Sequence, residues 1–344
     1  MFSRKRLKLS ALVLLAGVAL AGFAMQGSVA QEKGKAAVPR ISGPFHHDNL
    51  TICLIHGEDR LKGHKFLMLA EALEQKKFVI YETQKVNELT MENTSDQPVV
   101  ILSGDILKGG QQDRIAQFDQ IVPPKSGKVP LQVFCVERTA SRWMKPLTEA
   151  DKTFTASPGQ LCTNDLRLAN RSSKDQSGVW AGCARTQDKL TANAKVQVKV
   201  KESDSSLALS LEVKEVEAAV NEYVSKLSGV FKDKDDVVGY VFAINGKVLS
   251  SDVYGSPELF RKVWPRLLRA SAIEAFAELT KDKKHPSAKL QAFRTFLEEA
   301  AKGKETAKDE AKGLRQITNE SARIQRFESL DPKAKSLRVQ GIAY

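Results

Sequence analysis

The chain has 344 residues, 42% of them hydrophobic and 27% charged, with a net charge of +12. That is too apolar for a disordered chain and long enough to bury one large core or two closely packed ones. The basic excess does not read as a nucleic-acid surface. The lysine-rich runs Lys281 to Lys289 and Lys302 to Lys312 are mixed with acids and carry no aromatic residues on which bases could stack. Attraction to a small anion or an acidic partner is the better use of the charge.

In chain order, Arg4, Lys5, Arg6 and Lys8 precede an uncharged stretch from Leu9 to Met25 and the small-residue exit Ser28-Val29-Ala30. This is the order of a signal peptide, with cleavage expected after Ala30 and a mature protein outside the cytoplasm, periplasmic or secreted. The apolar stretch borders on the length that spans a bilayer, so the alternative is a membrane tether by an uncleaved anchor. No later segment has about 18 uninterrupted apolar residues, so no other membrane span is expected.

After a polar leader at residues 31–44, residues 45–146 read as β-rich. Phe78-Val79-Ile80-Tyr81, Leu89 to Glu92, Val99 to Leu102 and Leu131 to Val136 have strand composition, and turn chemistry fills Asn93 to Pro98. One short helix is expected at Phe66 to Glu74, from the spacing of Leu67, Leu69, Ala70 and Leu73. Residues 147–206 are rich in Ser, Thr, Asn, Asp and Gly and read as an irregular connection with one helical piece near Val179 to Leu190. Residues 207–344 form an α+β part. It begins with an amphipathic helix on Val213, Val216, Val220, Val224 and Leu227, which ends at Gly229 and the charged run Lys232 to Asp236.

Val237 to Ile244 and Lys247 to Val253 flank Asn245-Gly246 and predict a β-hairpin, because a two-residue type I′ turn needs positive φ at both central positions. Ser256-Pro257-Glu258 then starts a helix carrying Leu259, Phe260, Val263, Trp264, Leu267 and Leu268, with Pro265 expected to kink it or loosen one turn. A further helix is expected at Ser287 to Ala301, and late strands at Leu314 to Thr318, Ala322 to Phe327 and Leu337 to Tyr344. The fold class is therefore α+β: a largely antiparallel β N-terminal half packed with a C-terminal hairpin and amphipathic helices as one composite domain.

Several short motifs stand in a specific order. They are Gly104-Asp105-Ile106-Leu107-Lys108-Gly109-Gly110-Gln111-Gln112-Asp113-Arg114, Val122-Pro123-Pro124-Lys125-Ser126, and Cys135-Val136-Glu137-Arg138 with Arg142-Trp143. Later come Val179-Trp180, Gly239 to Phe242 before Asn245-Gly246-Lys247, and Ser256 to Phe260 with Trp264. From about Phe45 to Ala275 this pattern resembles the bacterial ARG- and rhodanese-phosphatase-associated protein domain. The chain departs from it in having Asp105 where a glutamate is typical, and in a longer run between Glu137 and Arg142. The resemblance implies company with ADP-ribose chemistry and brings no catalytic residue with it.

The residues themselves offer two readings of the glycine loop. In one, backbone N–H groups around Gly109-Gly110 form an anion nest, with Lys108 and Arg114 as counter-charges and Asp105 and Gln112 as further contacts. In the other, the glycines only supply positive φ, and Asp105 and Arg114 pair on the surface. Arg142 and Trp143 extend the candidate ligand site, since Trp143 lies in loop-like sequence and could stack on a ring. Asp105 and Glu137 are the candidate general bases if the protein is a hydrolase of nucleotide-like substrates. Cys135 has no histidine nearby in sequence and reads as a buried thiol rather than a nucleophile.

His46, His47, Asp48, His56 and His64 match no established ligand spacing, so no metal site is assigned, and the sequence leaves the cofactor open. A disulfide between Cys162 and Cys183 would staple the irregular segment of an exported chain. The expected function is a binding or interaction module for a small anionic ligand or an envelope partner. The alternatives are a hydrolase and a structural envelope protein.

Overall fold

The computed structural model describes residues 39–138, 148–149, 152–161, 163–172, 176–280, 283–311, 314–333 and 335–344. The segment expected to be a signal peptide, Arg142, Trp143 and Cys162 lie outside them. The first half runs β1 (Ile41–His47), β2 (Leu50–His56), β3 (Leu67–Met68), α1 (Leu69–Glu74), β4 (Phe78–Lys85), β5 (Glu88–Asn93), β6 (Val99–Ile101), β7 (Asp105–Gly109), β8 (Arg114–Ala116), β9 (Gln120–Val122) and β10 (Lys128–Cys135). Then follow β11 (Phe154–Leu161), α2 (Asn164–Ser172), α3 (Gln176–Ala194), α4 (Leu207–Ser210) and α5 (Lys214–Leu227). The chain continues with β12 (Val237–Ile244), β13 (Lys247–Tyr254), α6 (Pro257–Ala277), α7 (Leu290–Ala300), β14 (Lys304–Ala311), β15 (Leu314–Glu320), β16 (Ile324–Leu330) and β17 (Ser336–Ala343).

An antiparallel eight-stranded sheet in the order β1-β2-β12-β13-β17-β16-β15-β14 draws its strands from both ends of the chain. β2 is buried along its whole length because it is apolar on both faces. Leu50, Ile52 and Leu54 join the core under α5 and α6, while Cys53 and Ile55 meet Phe293 and Phe296 of α7 on the other side. A six-stranded sheet, β11-β7-β8-β10-β5-β4, and a small one, β3-β6-β9, share a second core with α1. The α+β class and the antiparallel pairing agree with the sequence.

The hairpin β12–β13 falls where Asn245-Gly246 places it, with φ of 52° and 78° at the two turn residues. Ser256 caps α6 through its hydroxyl, which accepts the Leu259 N–H at 3.1 Å. α6 continues through Pro265, whose ring lies on the exposed side.

Two expectations change. Residues 147–206 are not an irregular connection: β11, α2 and the 19-residue α3 occupy most of them. Their polar residues mislead because Arg167, Asn170 and Gln187 are buried in hydrogen bonds rather than left in water. The charged run at Lys302 to Lys312 is likewise not just a solvated face. It contains β14, an edge strand paired with β15, and charged side chains are what an exposed edge tolerates. No helix among the described residues is long and apolar enough to cross a membrane.

Candidate functional site

The glycine loop links β7 to β8 and turns inward. Gly109 and Gly110 have φ of 131° and 58°, and a Cβ on Gly110 would lie 2.6 Å from Glu82 Oε2 and would overlap the Phe154 ring. Side chains are excluded here both by conformation and by space. The backbone donors around the turn are taken by the protein's own carboxylates. Gly109 N donates to Asp113 Oδ1 at 3.1 Å and Gln111 N to Glu82 Oε2 at 3.0 Å. The loop is a nest, as one reading of the sequence has it, but Asp113 and Glu82 fill it.

The rest of the loop is equally committed. Arg114, with no exposed surface, donates to the Gln112 carbonyl at 2.6 Å and faces Glu82 Oε2 at 3.9 Å. The Gln112 amide donates to the Glu137 carbonyl at 3.1 Å, while its carbonyl accepts the Cys135 thiol at 3.2 Å. Burial pushes that thiol up to about 11, so Cys135 is neutral and not a nucleophile. Glu137 Oε2 accepts Asp113 N at 3.0 Å, and Asp113 Oδ2 accepts the Ser206 hydroxyl at 2.8 Å.

Asp105 is separated from this knot. It does not pair with Arg114 on the surface: Oδ1 pairs with Arg266 of α6, and Oδ2 accepts Leu102 N at 2.9 Å. The reason is burial, since a carboxylate 1% exposed needs a cation delivered from inside the fold. Asp105 and Glu137, the candidate general bases, are both buried, at 1% and 0% exposure.

Around Arg266 lies a larger buried charge cluster. Arg338 clamps Asp252 with two bonds, 2.7 and 2.6 Å, and reaches Asp119 at 2.9 Å. Arg171 donates to the other Asp119 oxygen at 2.7 Å, and Arg167 reaches Asp252 at 3.4 Å. Burial opposes the ionisation of Asp119, but Arg171 and Arg338 override it and hold its carboxyl well below the usual carboxylate range.

What the molecule leaves open beside the glycine loop is a groove of about 700 Å³ between α3 and the segment leading into α4. Arg138, Trp180, Gln187, Lys199, Asp204 and Ser205 are among its walls. Arg138 N donates to Ser205 Oγ at 2.9 Å, and the Gln187 amide donates to the Asp204 carbonyl at 3.1 Å, so the loop and helix walls are fixed to one another. Lys199 pairs with Asp188 at 2.8 Å. The Trp180 indole N–H is buried and has no acceptor among the described residues.

Two of the motifs thus contribute to this groove, through Arg138 and Trp180, and Gln112 of the glycine loop is tied to the residue before Arg138 by its bond to the Glu137 carbonyl. Trp180, named in the sequence only as part of the Val179-Trp180 motif, is a groove wall. Sequence reasoning missed Lys199 and Gln187, which carry no local signal, and Ser206, whose N-cap pattern before Leu207 was readable.

The histidines stay apart. His46 bonds Thr51, His47 packs on Tyr223, His64 bonds the Leu61 carbonyl, and His56 bridges Ser42 and Asp236. Among the described residues no group of His, Cys, Asp and Glu is arranged to hold a metal ion. Cys183 is buried in α3, and its pairing with Cys162 falls outside the described residues.

No curated protein and no solved structure matches the chain. A family model does, over residues 39–339, which extends the match suggested by the motifs at both ends and takes in β1 and the first half of β17. The chain belongs to the family of the ARG and Rhodanese-Phosphatase-superfamily-associated Protein domain.

Proposed function

We propose that this is an exported binding module that takes a small anionic ligand carrying an aromatic ring, of nucleotide or ADP-ribose type, in the Arg138–Trp180–Lys199 groove. The observation that carries the reading is the Trp180 indole, whose N–H has no acceptor among the described residues, set in the same wall system as two cations. A guanidinium and an ammonium answer the charge of a phosphate, and an indole offers both a stacking face and a donor. Asp204 and Gln187 supply acceptors suited to ribose hydroxyls. Arg142 and Trp143, the ligand residues expected from the motif, follow Arg138 closely in the sequence. Export is supported by the basic, apolar and small-residue order of the first thirty residues.

The test uses protein recovered from the cell envelope, whose first residue is Gln31 if the leader is cleaved after Ala30. Calorimetric titration with ADP-ribose, AMP and inorganic phosphate should give saturable binding, strongest for the ring-bearing ligands. Lys199→Ala and Arg138→Ala should each weaken it about tenfold, the loss of one charge-assisted contact. Equal affinity in both variants, or no heat with any of the three ligands, would remove the reading.

A further inference from the structure

Three polar side chains at one end of the eight-stranded sheet form a continuous hydrogen-bonded chain that involves none of the groove residues. His56, the last residue of β2, places Nε2 2.7 Å from the Ser42 hydroxyl on β1. Its other ring nitrogen, Nδ1, lies 2.8 Å from Asp236 Oδ1, immediately before β12. β1, β2 and β12 are successive neighbours, so the arrangement follows from sheet register. Ser42 stands opposite Leu54, and His56, two residues further along β2, projects to the same face.

The backbone ties His56 and Asp236 into the sheet end. His56 N donates to the Arg40 carbonyl and Gly57 N to the Asp236 carbonyl, both at 2.9 Å. The imidazole is nearly enclosed, with 5% of its side chain exposed, whereas Ser42 is half-buried on an edge strand and open to a reactant.

The order of partners decides what the imidazole can do. An Nδ1–H directed at the Asp236 carboxylate leaves Nε2 with its lone pair toward Ser42, the tautomer that removes a hydroxyl proton. Arg40 pairs with the other Asp236 oxygen and holds the carboxylate in place. A purely structural hydroxyl would need only one of these contacts; here a nucleophile, a base and an orienting carboxylate stand in line.

The geometry points to a nucleophilic triad of Ser42, His56 and Asp236 that takes the ester of a small carboxylic acid, a second site independent of the groove. Ser42 Oγ would bond to the ester carbonyl carbon as its proton passes to His56 Nε2 and the carbonyl electron pair moves onto oxygen. Collapse of that adduct breaks the bond to the alkoxide, which leaves with the proton from Nε2. Water then repeats the sequence on the acyl-serine and frees the acid and Ser42. A hydroxyl activated in this way attacks an acyl ester, and a small one is the simplest member of that class.

The test is covalent labelling of the full chain with a fluorophosphonate probe, read by peptide mass spectrometry, alongside hydrolysis of p-nitrophenyl acetate. The expected result is one adduct on the peptide bearing Ser42 and none in Ser42→Ala. His56→Gln should slow labelling about 100-fold or more, the share a positioned base contributes, with the melting temperature little changed. If His56→Gln fails to fold, Ser42→Cys replaces it and should react with iodoacetamide far faster than the buried Cys53 and Cys135. Folded wild-type protein that takes up no probe at Ser42, under conditions that saturate a serine hydrolase, would overturn the proposal, as would labelling at equal rates with and without the imidazole.

Discussion

At the scale of single residues, the glycine loop is where composition and space coincide. Gly63 and Gly110 both have positive φ, 85° and 58°, but a Cβ at Gly63 meets nothing within 4 Å. Gly63→Ala should therefore cost only the backbone strain of a left-handed alanine, about 1 kcal/mol. Gly110→Ala should cost about 2 to 4 kcal/mol, because it must also displace Phe154 and the Glu82 carboxylate that holds Gln111 N. Denaturant unfolding of the two variants checks the difference. That Gly109 and Gly110 needed positive φ was legible in the sequence. That the nest would be filled by Glu82 was not, because Glu82 lies in a strand whose neighbours Thr83 and Gln84 give no hint of burial. Likewise Asp105 meets Arg266 across 161 residues, a partner that only the packing of α6 against the sheets could choose. Asp236, read as the end of a charged helix-stop run, is instead the acceptor for His56.

Between elements, α6 reaches across to start α2. Glu274, near the end of α6, accepts Asn164 N at 2.9 Å, so a carboxylate from one helix satisfies the first turn of another. Burial raises this carboxyl from 4.5 to about 7, against the pull of the Asn164 N–H and of Arg167. An acid with a raised value in the folded state keeps its proton after the unfolded chain has lost it. Stability should therefore fall as pH rises from 4.5 to about 7 and level off above that, by on the order of 3 kcal/mol. Glu274→Gln, which can still accept Asn164 N, should flatten that slope in melting temperature measured across the range. Elements with apolar periodicity or turn chemistry, such as α5, α6 and the β12–β13 hairpin, were readable before the structure. β14 and α2 were not, since one is charged like a solvated run and the other hides its arginines inside.

At the scale of the whole molecule, the Asp119–Arg338–Asp252 chain bolts the sheets together. Asp119 lies between β8 of the six-stranded sheet and β9 of the small one, whereas Arg338 and Asp252 belong to the eight-stranded sheet. Arg338→Met should cost about 3 to 5 kcal/mol, because it removes the guanidinium two buried carboxylates share and leaves Asp119 to Arg171 and Asp252 to the longer Arg167 contact, and denaturant unfolding would register it. The Asp119 carboxyl, held below its ordinary 3.8, contributes stability that is complete above that pH and is lost as pH falls toward its lowered folded value.

The same strand that carries Arg338 also closes its sheet from within. β17 lies between β13 and β16 and bonds to both. Without Ser336–Ala343, β13 and β16 would each present a bare hydrogen-bonding flank, and Asp252 and Asp119 would lose their shared guanidinium. One strand thus joins what would otherwise be two open sheet edges.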